Sequence, residues 1–197
     1  MVDEFKKFPS LSIIEDAPIT KLRISLRKHD AQVPSATVIG PLLNHQDLLS
    51  PIHEFLYEQF ENKQSYMLDE PQQALERQLA VHERSAYFVA KRHGVIVGVL
   101  RLCPAPFEFQ SLLSLDDKTW PDFSLHVEIS RLVVSKKEAR TSTSMLLVIE
   151  ACIWAMSQGY AGIVALCRPT TRIIFERYGL APVFPELFSI PMRNNQQ

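Results

Sequence analysis

The clearest pattern begins at residue 86, where short apolar runs alternate with polar punctuation. "AYFVAKRHGVIVGVLRLCP" (86–104) is two apolar runs joined at "RHG", which predicts a β-hairpin. The second run is apolar at consecutive positions, as in a strand covered on both faces. Residues 104–123, broken by Pro104, Pro106 and Pro121 and rich in Phe107, Phe109 and Trp120, read as an irregular loop. "HVEISRLVV" (126–134) predicts the next strand. "TSTS" (141–144) offers N-cap hydroxyls to a long apolar helix, Met145 to Gln158, stopped by Gly159. "GIVALC" (162–167) predicts another strand. "TTRIIFERYG" predicts a short helix capped by Thr170 or Thr171 and ended at Gly179, with a final strand pair around "APVFPELFSIPM".

Upstream, "DLLSPIHEFLYEQF" has apolar residues at helical spacing from Asp47 to Phe60, with Ser50-Pro51 as its start. A second amphipathic helix fits Pro71 to Glu83. Residues 1–40 are less readable, although "ITKLRISLRK" alternates like a strand and "ATVIGP" reads as a short strand ended by Gly40-Pro41. The chain reads as a single domain over 1–197 with 1–40 as an N-terminal extension. From Ala86 the order β-β-loop-β-α-β-α-β predicts a mixed sheet with helices on both faces.

Composition narrows the function classes. The 197 residues are 46% apolar and 22% charged, those of an ordinary globular chain. A net charge of −1 gives no global bias toward nucleic acid or an anionic membrane. Cys103, Cys152 and Cys167 lie far apart in apolar runs, as buried thiols of a reducing compartment do. The six histidines show no metal-ligand spacing, so no metal site is expected. The N-terminus lacks the apolar core of a secretory signal, and no run reaches the ~20 residues of a membrane span, so a cytoplasmic protein is expected.

Against that background "HVEISRLVV" is anomalous, because it places Glu128, Ser130 and Arg131 in an otherwise apolar strand. An ionised carboxylate is costly to bury unless it is paired or its pKa shifts.

The order of elements, together with "FERYGL" (175–180), resembles the GNAT acyltransferase fold. "GVLRLCP" (98–104) is similar to the G-x-x-R-L-x-P strand end of acyl-homoserine lactone synthases, and "EISRL" (128–132) to their E-x-S-R-F motif, with Leu132 for the phenylalanine. The resemblance covers residues 86–180. It implies an α+β, three-layer, GNAT-like fold with a mixed, mostly antiparallel central sheet. The chain departs from the lactone synthases before the hairpin. Residues 51–85 contain no Trp, and "LERQLAVHERSAYF" has no paired aspartates for S-adenosylmethionine. The chain therefore looks more like the related N-acyl amino acid synthases, which join a fatty acyl group from acyl carrier protein to an amino acid, N-acyltyrosine synthases being the first to compare.

That resemblance implies roles. Glu128 is the candidate general base for the amine, the alternative being a structural ion pair with Arg131 or Arg101. Strand alternation puts Glu128 and Ser130 on one face and Arg131 on the other, so Arg131 braces the site from behind unless a bulge changes the parity. Arg101 either grips a substrate carboxylate or pairs with Glu128 or Glu108. Phe107, Phe109, Trp120 and Trp154 are candidate walls of an acyl tunnel, or plain core. The turn "SKKEARTSTS" lacks the glycines with which CoA-dependent GNATs hold a diphosphate. Lys136, Lys137, Arg140, Thr141 and Ser142 are therefore candidates for the phosphopantetheine arm and its carrier protein, against the alternative of a solvated charged turn. No permanently bound cofactor is implied. Phe175 stands where many GNATs place a tyrosine acid. A lactone synthase with a divergent site, or a GNAT-like lipid or carrier-protein binding module without catalysis, are the alternatives to the N-acyltransferase.

Overall fold

The structure, a computed structural model, describes residues 36–43, 46–61, 64–113, 120–139, 141–177, 179–184 and 190. Five strands form one sheet in chain order: β1 (Thr37–Leu43), β2 (Ala86–Arg92), β3 (Val95–Pro104), β4 (His126–Val134) and β5 (Gly162–Val164). The first three pairings are antiparallel and β4–β5 is parallel. The helices are α1 (Gln46–Glu61), α2 (Glu70–Gln78), α3 (Val81–Arg84), α4 (Glu108–Leu113), α5 (Thr143–Ser157) and α6 (Pro169–Arg177). The fold is mixed α+β with helices on both faces, as the sequence predicts.

Alternation along β2 and β3 divides the core in two. Ala86, Phe88, Ala90, Leu100 and Leu102 meet Leu147, Val148, Ala151 and Cys152 of α5. Tyr87, Val89 and Val99 meet Ile52, Phe55, Leu56 and Phe60 of α1 on the opposite face. The "RHG" turn closes the hairpin with His93 and Gly94 both at positive φ (51° and 81°), the geometry of a two-residue hairpin loop. Gly159, at φ 83°, follows α5 as expected of a helix stop.

Several boundaries differ from the sequence reading. The helix over 71–83 is two helices, because Ala80 adopts the left-handed conformation (φ 47°, ψ 41°) between α2 and α3. Helix α1 starts before Ser50-Pro51 and carries Pro51 inside it. Strand β1 continues through Gly40-Pro41 across a register shift between Ile39 and Leu42. The 104–123 loop contains α4, and "GIVALC" leaves the sheet after Val164. Helix α5 begins at Thr143 rather than Met145, and Ser142 makes no side-chain cap bond; instead the Thr143 N–H donates to Thr141 Oγ1 at 3.2 Å. Helix α6 begins at Pro169, before Thr170 and Thr171. The strand read in "ITKLRISLRK" lies outside the described residues. So does most of the final strand pair, of which Ala181–Phe184 is irregular and Ile190 makes an isolated bridge.

Candidate active site

Strand β4 carries a bulge that decides where its polar residues point. Arg101 lies opposite Arg131, yet the next pair is Leu102 with Ile129, so Ser130 is the extra residue. Beyond it Cys103 faces Glu128. Cross-strand partners share a face, so Arg101, Arg131 and Glu128 all project from the side covered by α1–α4. Bracing by Arg131 from behind is thereby corrected; the bulge brings it to Glu128's side.

A closed ionic cluster results. Arg101 pairs with Glu108 at 2.7 Å and with Glu76 at 3.3 Å, and its Nε donates to Ser130 Oγ at 2.8 Å. Arg131 reaches the same two carboxylates, Glu108 at 3.1 Å and Glu76 at close range. The Gln72 amide donates to both, to Glu108 at 2.9 Å and Glu76 at 3.3 Å. His82 lies 3.2 Å from Glu76 through Nε2 and 2.8 Å from the Tyr87 hydroxyl through Nδ1. Arg101 and Glu108 are 1% and 2% exposed, so this guanidinium serves the protein's own carboxylates. Of the readings open for Arg101, the structure has the pairing with Glu108.

Glu128 differs from the other two glutamates. It is 2% exposed and accepts the Glu108 backbone N–H at 2.8 Å, and its face-mates Arg101 and Arg131 are both engaged by Glu76 and Glu108. Two guanidinium charges balance two carboxylates, so an ionised Glu128 is a surplus buried charge. Burial and the nearby Glu108 accordingly push it up to about 7. Burial raises Glu76 too, but Arg131, the His82 hydrogen bond and Arg101 outweigh this and hold it well below the usual carboxylate range. One carboxyl of the cluster is thus set to titrate near neutrality, while Glu76 stays ionised.

Glu76, Gln72 and His82 were not singled out from the sequence. Their signal is polar residues at inward helical positions: Gln72 and Glu76 are spaced i, i+4 and share the stripe of Leu75 and Leu79.

The β4–β5 junction opens just beyond Glu128. The two strands pair only from His126–Gly162 to Glu128–Val164, while β4 runs on to Val134. On that side, among the described residues, β4 from Ile129 has no strand partner. Beside the opening lies a cavity of about 160 Å³, walled by Phe109, Trp120, Phe123, Val164, Phe175 and Phe184 among others. Phe107 lies behind that wall, its ring stacked on Phe109 at 5.3 Å. Trp154 is on the other face of the sheet, 6.0 Å from Phe88 and 6.5 Å from Tyr160. Its place on α5, packed into the opposite core, leaves it as core, the alternative to the tunnel.

At the start of α5, Lys136 and Lys137 are exposed on a 3₁₀ turn. Next to them the Glu138 carboxylate takes Arg92 at 2.9 and 3.0 Å and the hydroxyls of Thr141 and Thr143 at 2.8 and 2.6 Å. The Arg92 hydrogen bond, with those from the threonines, brings Glu138 down to about 2 against the opposing effect of burial. An internal carboxylate therefore occupies the place where a helix N-terminus attracts anions. Ser142 sits at the N-cap position, and Arg140 is outside the described residues.

No protein-family model matches the sequence, and no curated protein does. Solved structures do match. The aminoglycoside acetyltransferase AAC(6')-Iy, in complex with the bisubstrate analogue CoA-S-monomethyl-acetylneamine, superposes with a TM-score of 0.54 at 12% identity, over 77% of this chain and 95% of that one. A transcriptional regulator from Bacillus halodurans C-125 gives 0.52 at 14% identity, over 77% and 97%. The chain has the GNAT acetyltransferase fold. At such identities the likeness is one of fold, and the fold is shared by a protein described as a regulator as well as by an enzyme.

Proposed function

We propose that the chain is an N-acyltransferase that moves a long acyl group from the phosphopantetheine arm of acyl carrier protein to the amine of an amino acid, with tyrosine as the first acceptor to test. The observation that carries this reading is the placement of Glu128, a carboxyl 2% exposed beside two arginines already paired with Glu76 and Glu108, which burial and the nearby Glu108 push up to about 7. Amide formation needs a neutral amine, and Glu128 takes the proton, directly or through a water. The amine nitrogen attacks the thioester carbonyl, a C–N bond forms, and the C–S bond breaks. A pantetheine thiolate is a fair leaving group, so Phe175 in place of a tyrosine acid is no obstacle. The edge of β4 from Ile129, without a strand partner among the described residues, offers backbone groups to the arm. The carboxylate of Glu138 at the start of α5 favours an arm with one phosphate over the diphosphate of CoA, and Lys136 and Lys137 suit the acidic face of a carrier protein. AAC(6')-Iy, an aminoglycoside N-acetyltransferase of the same fold, supports the reaction class.

A second reading, a non-catalytic binder of lipid or carrier protein, is favoured by the 2% exposure of Glu128 and its bond to an internal N–H. Mass spectrometry of lipid extracts from bacteria expressing the chain or its Glu128→Gln variant separates the two. A fatty acyl amino acid made only by the wild type is the expected result, and an acyl-homoserine lactone in its place overturns the acceptor. No new lipid, with ligand binding kept in the variant, means a binder.

A further inference from the structure

The aromatic cavity has polar side chains on its wall as well. Among the described residues these are Cys167, Arg172 and Glu176. Arg172 and Glu176 form an i, i+4 ion pair at 2.7 Å on α6, their side chains 42% and 41% exposed. Such a pair is held weakly, so its guanidinium is available to an incoming anion. The arginines of the β3–β4 bulge are not, since both are locked on Glu76 and Glu108. The volume, about 160 Å³, resembles the ~150 Å³ of a known cavity that holds benzene.

We propose that this cavity binds a monocarboxylate with an apolar group of about benzene-ring size, the group enclosed by Phe109, Trp120, Phe123 and Phe175 and the carboxylate on Arg172. Under the proposed acyltransferase reading, on which this point alone rests, the ligand is the acceptor: its side chain fills the cavity and Arg172 supplies the carboxylate grip that is one of the two sequence readings of Arg101. Glu176 is then a competitor for the guanidinium, not a support.

Direct binding tests the site without turnover, so it stands or falls apart from the acyltransferase. Calorimetry with 3-phenylpropionate, its neutral amide and 4′-phosphopantetheine should show the wild type preferring the carboxylate to the amide by about tenfold. Arg172→Gln should abolish that preference with amide binding unchanged. Glu176→Gln should strengthen carboxylate binding. A purely structural pair would make both variants act in the same direction, and that result overturns the proposal. So does a wild type that binds neither probe or does not discriminate between them, or an Arg172→Gln variant whose only loss is for 4′-phosphopantetheine.

Discussion

The backbone N–H of Glu108 donates to Glu128 while the side chain of the same residue bridges Arg101 and Arg131. One residue of α4 therefore fixes the orientation of the neutral-range carboxyl and withdraws the nearest cations from it. The hydrogen bond lowers the pKa of Glu128 and the charge of Glu108 raises it, with burial the largest effect.

The pH dependence of stability follows. A carboxyl held at about 7 favours its protonated form in the fold, so its contribution is complete below the ordinary carboxylate pKa and is lost as pH rises through about 7. The loss is on the order of 3 kcal/mol. Glu128→Gln, permanently neutral, should match the wild type in urea denaturation near pH 4.5 and exceed it at pH 8. Equal stability at pH 8 would show that Glu128 is not a surplus charge. Under the proposed mechanism, wild-type turnover rises through pH 7 and the variant has almost none at any pH.

Glu76 has the opposite sign. Its pKa is depressed by Arg131, His82 and Arg101, so its stabilisation is present above the ordinary carboxylate range and disappears as pH falls below it. Glu76→Gln leaves a buried guanidinium undercompensated and should cost about 3–5 kcal/mol at pH 7. The double variant Glu76→Leu, Arg131→Met should cost less than the sum of its single changes, because it removes both members of a pair. Additive losses in denaturant titrations would mean that the two side chains are not energetically coupled.

These elements were unequally legible in the sequence. The hairpin, β4 and α5 are apolar runs punctuated by turn and stop residues such as Gly94 and Gly159, and their places follow from local chemistry. The left-handed Ala80 carries no such signal, since alanine is a helix former. Glu128 stood out as a carboxylate in an apolar strand, and the Arg101–Glu108 pair is one of the sequence readings of Arg101. Gln72, Glu76 and His82 did not stand out, because they reach the cluster from helices far away in the chain, and the face of Arg131 turns on the bulge at Ser130. Trp154 shows the same limit: an aromatic residue on an apolar helix gives no indication of which side of the sheet it covers.

Arg84 ties two irregular segments together. Its guanidinium donates to the carbonyls of Leu79, Pro104, Ala105 and Pro106, joining the break at Ala80 to the turn that leads into α4. Lysine keeps the charge but not the fork, so Arg84→Lys should cost about 1–3 kcal/mol. The turn ends two residues before Glu108. Loosening it weakens the Glu108 N–H bond to Glu128 and lets the Glu128 pKa rise further. Titration of ¹³C-labelled Glu128 by NMR measures this; an unchanged midpoint in a folded variant would separate Arg84 from the site.

At Gly98, α5 packs close against the sheet. A Cβ there would lie 3.0 Å from Leu147 Cδ1, 3.1 Å from Val134 Cγ1 and 3.3 Å from Thr143 Cγ2. All three belong to packed elements, so Gly98→Ala should cost about 1–3 kcal/mol by overpacking. Thr143 meets Gly98 with its methyl and Glu138 with its hydroxyl, so pushing the helix away also strains the network at its start. Gly94→Ala is the control for conformation alone: at φ 81° with nothing within 4 Å, it should lose only the about 1 kcal/mol of left-handed backbone strain. Thermal denaturation of the two variants checks the contrast. A Gly98→Ala protein as stable as the wild type would show that α5 is free to shift away from β3, and that the start of the helix is not held by that contact.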